Sequence, residues 1–93
     1  MKLTITSDAL RDRRNAIAYL NERSPSAARR IDKAISRDLR TLQRTPLIGR
    51  PRLGGTRESV VQRTPYIIVY EVLDREIVVL RIWHHAQDRL MLD

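Results

Sequence analysis

The chain has 93 residues, no cysteine, 42% hydrophobic residues and a formal net charge of +7. That length has room for one hydrophobic core, so we expect a single domain spanning residues 1–93, and the lack of cysteine excludes disulfides and thiolate metal sites. No stretch approaches the roughly 18 apolar residues of a membrane span and no apolar signal follows Met1, so we expect a cytoplasmic protein without a membrane partner.

The positive charge is unevenly distributed along the chain. Residues 1–64 contain 15 Lys or Arg against 6 Asp or Glu, whereas residues 65–93 contain 3 against 5. A field of this sign attracts polyanions, which include nucleic acids, acidic protein segments and anionic surfaces. The charge alone does not choose among these partners.

The first elements are a short strand and a helix. Lys2–Thr6 alternates apolar and polar residues, which favours a strand, and Ser7 followed by an aspartate is typical of a helix N-cap. From Asp8 to about Arg23 most apolar residues recur at helical spacing on one side. The sequence therefore predicts a strand that leads directly into a helix.

A second helix is the most strongly indicated element. Ser24 and Pro25 are typical of an N-cap and a first helical position, and Thr45-Pro46 marks the end. Between them the apolar residues follow a three-four repeat, namely Ala28, Ile31, Ile35, Leu39 and Leu42.

The segment after this helix is predicted to be a loop followed by a strand. Residues 44–56 contain all three glycines and two of the four prolines, so no regular element is expected there. Val60 and Val61 indicate a strand between Arg57 and Arg63, because Thr64-Pro65 interrupts any ladder.

Residues 66–85 read as a buried β-hairpin with a turn at Asp74-Arg75. A symmetric even-length turn places Tyr66 opposite Trp83, Ile68 opposite Arg81 and Tyr70 opposite Val79, which gives one aromatic face that carries a guanidinium group. We expect the helices to cover the other, aliphatic face, formed by Ile67, Val69, Val78, Leu80 and Ile82. A turn offset by one residue would change every pair.

The predicted order is β-α-α-β-β-β, an α+β domain with two N-terminal helices packed on one face of an antiparallel sheet. The tail, residues 86–93, fits either a short helix or an extension of the last strand.

Several segments together support a family resemblance. SPSAARRID in the helical hairpin, TPLIGRPRLGG, PYIIVYEV and IVVLRIWHHAQD follow one another in an order and spacing similar to toxins of the RelE/ParE superfamily, nearest to the ParE branch. The resemblance implies a type II toxin-antitoxin component with a microbial RNase-like fold, a curved antiparallel sheet and a cognate antitoxin as partner.

The same superfamily implies two alternative activities. RelE-like members cleave mRNA at the ribosome, whereas ParE-like members poison DNA gyrase. The basic residue that RelE-like enzymes carry in the strand after Tyr66 is replaced here by an apolar run, and Ala86 follows His85 where their tyrosine would stand. Loss of a phosphate-holding cation removes charge stabilisation of the transition state, so the resemblance favours gyrase inhibition by binding, with no cofactor.

The candidate site residues follow from these two alternatives. For target or antitoxin binding they are Arg50, Arg52, Arg57, Arg63, Tyr66, Arg81 and Trp83. No catalytic residue is assigned in that interpretation; for the ribosome-dependent mRNA endonuclease they would be Arg81 with His84 or His85, and Arg57 or Arg63 on the phosphate. In the interpretation without a functional role, the loop arginines are solvated, and Arg81 reaches solvent or stacks on an aromatic ring.

We expect no metal site in this chain. His84 and His85 are neighbours on an extended segment, so their side chains point to opposite sides, and no third ligand is close in sequence.

Overall fold

The computed structural model describes residues 1–86. Its two helices are α1 (Ser7–Arg23) and α2 (Pro25–Arg44), and short 3₁₀ turns cover Pro46–Ile48 and Leu53–Gly55. The strands are β1 (Lys2–Ile5), β2 (Arg50–Pro51), β3 (Arg57–Val60), β4 (Tyr66–Val72) and β5 (Glu76–His84).

The five strands form one mixed sheet in the order β1-β5-β4-β3-β2. The predicted α+β class and element order are confirmed, but the expectation of a purely antiparallel sheet is wrong for β1, which pairs parallel to β5. The chain crosses through both helices and the meander before β5 returns beside β1, and such a crossover allows parallel pairing. Strand β1, at the start of the chain, therefore forms one edge of the sheet beside β5, the last strand.

Helix α1 begins one residue earlier than predicted because Thr6, not Ser7, is the N-cap. The Thr6 hydroxyl accepts a hydrogen bond from the Ala9 amide at 3.1 Å and donates to the Leu80 carbonyl at 3.0 Å. The Thr6 amide also donates to the Val79 carbonyl. One residue therefore ends β1, caps α1 and fixes both to β5.

Helix α2 agrees with the sequence prediction at both ends. Ser24 caps it by accepting from the Ala27 amide at 3.2 Å, and Pro25 occupies the first position. The repeat of apolar residues is buried along one side: Ala28, Ile31, Ala34, Ile35, Leu39 and Leu42.

The loop after α2 contains more regular structure than predicted. Arg50 and Pro51 form a two-residue edge strand that pairs antiparallel with Glu58 and Arg57. The phenol of Tyr70 holds the start of this loop, since its oxygen accepts from the Gly49 amide at 2.9 Å. The predicted strand at Arg57–Arg63 ends earlier, at Val60.

The β4–β5 hairpin has the predicted turn but contains a bulge that the sequence analysis missed. Next to the turn the register is as predicted, with Tyr70 opposite Val79. Beyond it Leu80 is an extra residue on β5, so Val69 faces Arg81 and Tyr66 faces His84. The predicted pairs of Tyr66 with Trp83 and of Ile68 with Arg81 are therefore wrong.

The helices cover the face of β4 opposite to the predicted one, and the bulge determines which β5 residues beyond Leu80 join that face. The main core under the helices contains Tyr66, Ile68 and Tyr70 from β4 and Ile77, Val79 and Ile82 from β5, whereas Ile67, Val69 and Trp83 form a separate cluster. The prediction that the helices cover the face with Ile67 and Val69 is wrong. The tyrosines fit the helix side because Tyr70 finds polar partners for its hydroxyl at the rim of the core.

Candidate binding site around Trp83

Trp83 is the centre of the smaller apolar cluster, on the sheet face away from the helices. It packs with Ile67 and Val69 and is only 9% exposed. Ile67 and Val69 lie on β4, and Trp83 lies on the neighbouring strand β5. Tryptophan and arginine are enriched among the residues that dominate protein interfaces.

Two guanidinium groups flank the indole ring. The Cζ atoms of Arg81 and Arg52 lie 5.1 Å and 5.6 Å from the ring centroid. Both distances are within the range of favourable cation–π contacts. The interpretation of Arg81 as stacked on an aromatic side chain is thus confirmed.

Arg81 is also fixed by an ion pair that the sequence analysis missed. Its Nε and Nη2 atoms donate to the two oxygens of Asp12 at 2.7 and 2.9 Å, and the Ile82 amide donates to the same carboxylate at 3.0 Å. These hydrogen bonds outweigh burial and raise the pKa of Arg81 above its ordinary value. The available signal was the position of Asp12 on α1, three residues after Ala9 and four before Ala16, within the stripe that faces the sheet.

Arg50 and Arg52 meet at a second carboxylate, that of Glu58 on β3. Arg50 Nε donates to Glu58 at 3.0 Å, and Arg52 Nη1 lies 3.4 Å from the other oxygen. Glu58 stands opposite Val69 in the ladder, so this ion-pair group borders the apolar cluster. Two of the predicted arginines, Arg50 and Arg52, therefore lie next to the Arg81–Trp83 surface.

A groove of about 770 Å³ follows this arrangement. Its lining residues include Arg52, Leu53, Leu80, Arg81 and Trp83. Within residues 1–86 the buried Trp83 Nε1–H has no hydrogen-bond partner, and Leu53 at the rim is 96% exposed. A bound segment would find an apolar floor, a free indole donor and a cationic border.

Three other predicted binding residues lie elsewhere. Tyr66 is 6% exposed and packs in the core under the helices, where burial raises its pKa. Arg57 reaches the same side of the sheet and donates to the Gly49 carbonyl at 2.8 Å. Arg63 lies in the β3–β4 turn, where its carbonyl accepts from Arg30 at 3.4 Å.

The histidines are also separate from the groove. His84 contacts Tyr66 edge-on at 5.4 Å and lines a cleft of about 370 Å³ on the helix side together with Tyr19. His85 is exposed, and its amide donates to the Pro65 carbonyl. Among the described residues, no group of three His, Cys, Asp or Glu side chains is placed to hold a metal ion.

A helical hairpin on one side of a mixed sheet and an arginine-flanked tryptophan on the other characterise this small α+β domain. The model of the family described as the ParE toxin of the type II toxin-antitoxin system parDE matches residues 3–89. The chain belongs to this family and is a toxin of a type II toxin-antitoxin system.

Two known proteins illustrate the relationship. Toxin RelE1 of Caulobacter vibrioides is 35% identical over 83 residues, which cover 87% of this chain and 89% of that toxin. A solved structure described as the chromosomal ParDE toxin-antitoxin system from P. aeruginosa superposes with a TM-score of 0.81 at 26% identity, covering 90% of this chain and 95% of that one. Along residues 1–86 no helix is long and apolar enough to cross a membrane.

Proposed function

We propose that this toxin acts in the cytoplasm by binding DNA gyrase stoichiometrically, and that the Trp83 groove contacts the target or the antitoxin. Membership of the family implies a cognate antitoxin that neutralises the toxin. Binding without chemistry needs a rigid surface with an anchor residue and a complementary border.

The observation that carries this proposal is the pairing of the two arginines beside Trp83. Arg81 is held by both oxygens of Asp12, and Arg52 lies against Glu58. A nuclease needs cations directed at the scissile phosphate together with an acid and a base within hydrogen-bond reach. Guanidinium groups that already neutralise carboxylates are better suited to shaping a binding surface.

The second candidate is ribosome-dependent mRNA cleavage, and one observation favours it. His84 and Tyr66 line the same cleft as Asp12, whose carboxylate holds Arg81. A titratable ring, a phenol and a carboxylate that holds a guanidinium group thus line one cleft. The RelE name of the Caulobacter relative is in line with this alternative.

One pair of assays separates the two functions. We would add the purified chain to a supercoiling reaction with purified gyrase, and to a translation reaction in which mRNA ends are mapped by primer extension. Loss of supercoiling without new RNA ends supports our proposal. Codon-specific ends with normal supercoiling would refute it, and His84→Ala should then abolish cleavage.

Two exposed leucines offer a matched test of the groove. Leu53 lies on its rim, whereas Leu47 is 63% exposed and is not among the groove-lining residues. Loss of an interface anchor costs about 1–2 kcal/mol, or roughly tenfold in affinity. Leu53→Ser should raise the concentration for half-inhibition of gyrase by about that factor, while Leu47→Ser should leave it within about twofold.

A further inference from the structure

Helix α2 carries six basic residues, and all of them are exposed. At 3.6 residues per turn they fall within an arc of about 100°, opposite the buried stripe. The members of this basic face are Arg29, Arg30, Lys33, Arg37, Arg40 and Arg44.

The two carboxylates of α2 are directed away from this face. Asp32 accepts from Arg13 of α1 at 2.8 Å, and Asp38 accepts from the Gln62 amide at 3.2 Å. Arg37 contacts Asp38 at 3.1 Å but stays half exposed. Within residues 1–86 the other five side chains of the basic face make no ion pair.

Such a face lowers the stability of the helix. Like charges three or four residues apart each cost about 0.2–0.5 kcal/mol, and this face contains several such pairs, for example Lys33 with Arg37 and Arg40 with Arg44. A helix face that needed only to be solvated would gain stability from interspersed glutamates. Because α2 contains no glutamate, a polyanionic ligand would offset this repulsion.

We propose that the basic face of α2 binds the phosphate backbone of duplex DNA. From Arg29 to Arg44 the face extends about 22 Å at 1.5 Å per residue. Long, exposed side chains on one straight helix can neutralise several phosphates along a rigid backbone without reading bases. The expected binding is independent of sequence and strongly dependent on salt.

The composition of the face disfavours other polyanions. Single-stranded nucleic acid needs aromatic platforms for stacking, and α2 contains no aromatic residue. Membrane surfaces take up the apolar side of an amphipathic helix, which here is buried. An acidic protein would need apolar anchors at the centre of the contact, and the arc between the six cations supplies none.

This inference goes beyond the proposed function and does not depend on the target of the toxin. The Trp83 groove lies on the sheet face opposite the helices, so DNA on α2 leaves it accessible from the other side. A toxin built this way can hold DNA and a protein partner at the same time.

The experiment measures fluorescence anisotropy of a labelled duplex of arbitrary sequence, titrated with the full chain at several salt concentrations. With about five phosphates neutralised, log affinity should fall with log salt at a slope of about −4.5. The triple variant Lys33→Gln, Arg37→Gln, Arg40→Gln should reduce the slope to about −2 and weaken binding at low salt by at least about tenfold. If that triple does not fold, as judged by circular dichroism, Arg29→Gln with Arg40→Gln and Arg44→Gln replaces it.

A matched control removes the same charge elsewhere on the molecule. Lys2, Arg14 and Arg75 are all exposed and lie on β1, on α1 and at the hairpin turn. Their triple change to Gln should shift the affinity by less than about threefold. An equal loss in this control would overturn the proposal, as would binding of duplex RNA, single-stranded RNA or anionic vesicles at least as tightly as duplex DNA.

Discussion

Tyr70 connects the core to the loop that begins the groove. Its hydroxyl donates to the Pro46 carbonyl at 2.7 Å and accepts from the Gly49 amide, so it satisfies two backbone groups near the turn at the end of α2. A side chain at Gly49 would overlap this hydroxyl and approach the Glu58 carbonyl to 2.8 Å. A glycine at position 49 is therefore required by close packing around one phenol.

We expect Tyr70→Phe to cost about 1–3 kcal/mol at pH 7, because it leaves both backbone groups without their partner. Burial raises the pKa of Tyr70 from 10.0, so its contribution to stability is complete below pH 10 and is lost as pH rises through the folded-state pKa. The variant should lose less stability than the parent between pH 7 and about pH 11. Urea unfolding at both pH values measures this.

Tyr19→Phe is the matched control for the phenol, since Tyr19 is 55% exposed. Its effect should stay within about 0.5 kcal/mol. An unchanged pH dependence in Tyr70→Phe would contradict the assignment of alkaline instability to the Tyr70 phenol.

Asp12 is the second residue whose removal should have a large effect. Asp12→Asn leaves the guanidinium of Arg81 without its counter-charge while both groups are partly buried, with side-chain exposures of 15% and 32%. We expect a loss of about 2–3 kcal/mol in unfolding free energy, and less when Arg81→Met is added, because the second change removes the stranded charge. Urea unfolding of the single and double variants measures the coupling.

The exposed pair on the same helix provides a comparison for Asp12. Asp8 contacts Arg11 at 3.0 Å with both side chains more than half exposed. Asp8→Asn should cost less than about 0.5 kcal/mol. Equal losses for Asp8→Asn and Asp12→Asn would show that the Arg81 ion pair has no special role.

At the scale of elements, local sequence signals were sufficient to predict a helix or turn that is stabilised by its own residues. The cap at Ser24, the apolar repeat of α2 and the turn at Asp74-Arg75 are all encoded within a few positions, and each prediction is confirmed. The two-residue β2 and the bulge at Leu80 depend on hydrogen bonds to other strands, which no local pattern reveals. The same applies to Asp12, which meets Arg81 across 69 positions of sequence.

The basic face of α2 predicts that a substitution which stabilises the helix weakens its binding to DNA. Lys33→Glu places a carboxylate four residues from both Arg29 and Arg37, so the helix should gain about 0.5–1 kcal/mol. The same change should weaken duplex binding by more than the neutral Lys33→Gln does. Urea unfolding and anisotropy on one preparation measure both effects, and a loss of stability in Lys33→Glu would refute the repulsion argument.

At the scale of the whole molecule, charge is expected to govern association with the antitoxin. The net charge of +7 lies mainly in residues 1–64, which contribute Arg52 to the groove lining and Arg50 to the ion pair with Glu58 beside it. Affinity for the cognate antitoxin should fall by about tenfold or more between low and high salt, as measured by calorimetry. Thermal unfolding of the toxin alone over the same range is the control, and a constant affinity would exclude an electrostatic role for these arginines.

The sequence indicated the domain class because element order follows from local patterns and from the family resemblance. It did not indicate which face of the sheet the helices cover, because both faces of the hairpin carry apolar residues and the choice depends on tertiary packing. Arg52, Arg81 and Trp83 line one groove together with Val69 and Leu80, whereas Tyr66 lies on the other side of the sheet.

The extra residue in β5 shifts by one position the alternation of side chains between the two faces of the sheet. Before Leu80 the odd-numbered positions Ile77 and Val79 point into the core, and after it the even-numbered Ile82 does so. If β5 kept Leu80 but paired regularly, without a bulge, Arg81 and Trp83 would point against the helices and Ile82 toward the groove. The identity of the groove residues is therefore set by a single unpaired backbone position, and deleting Leu80 should restore regular pairing while Ile82 stays in the core and Trp83 stays on the groove side.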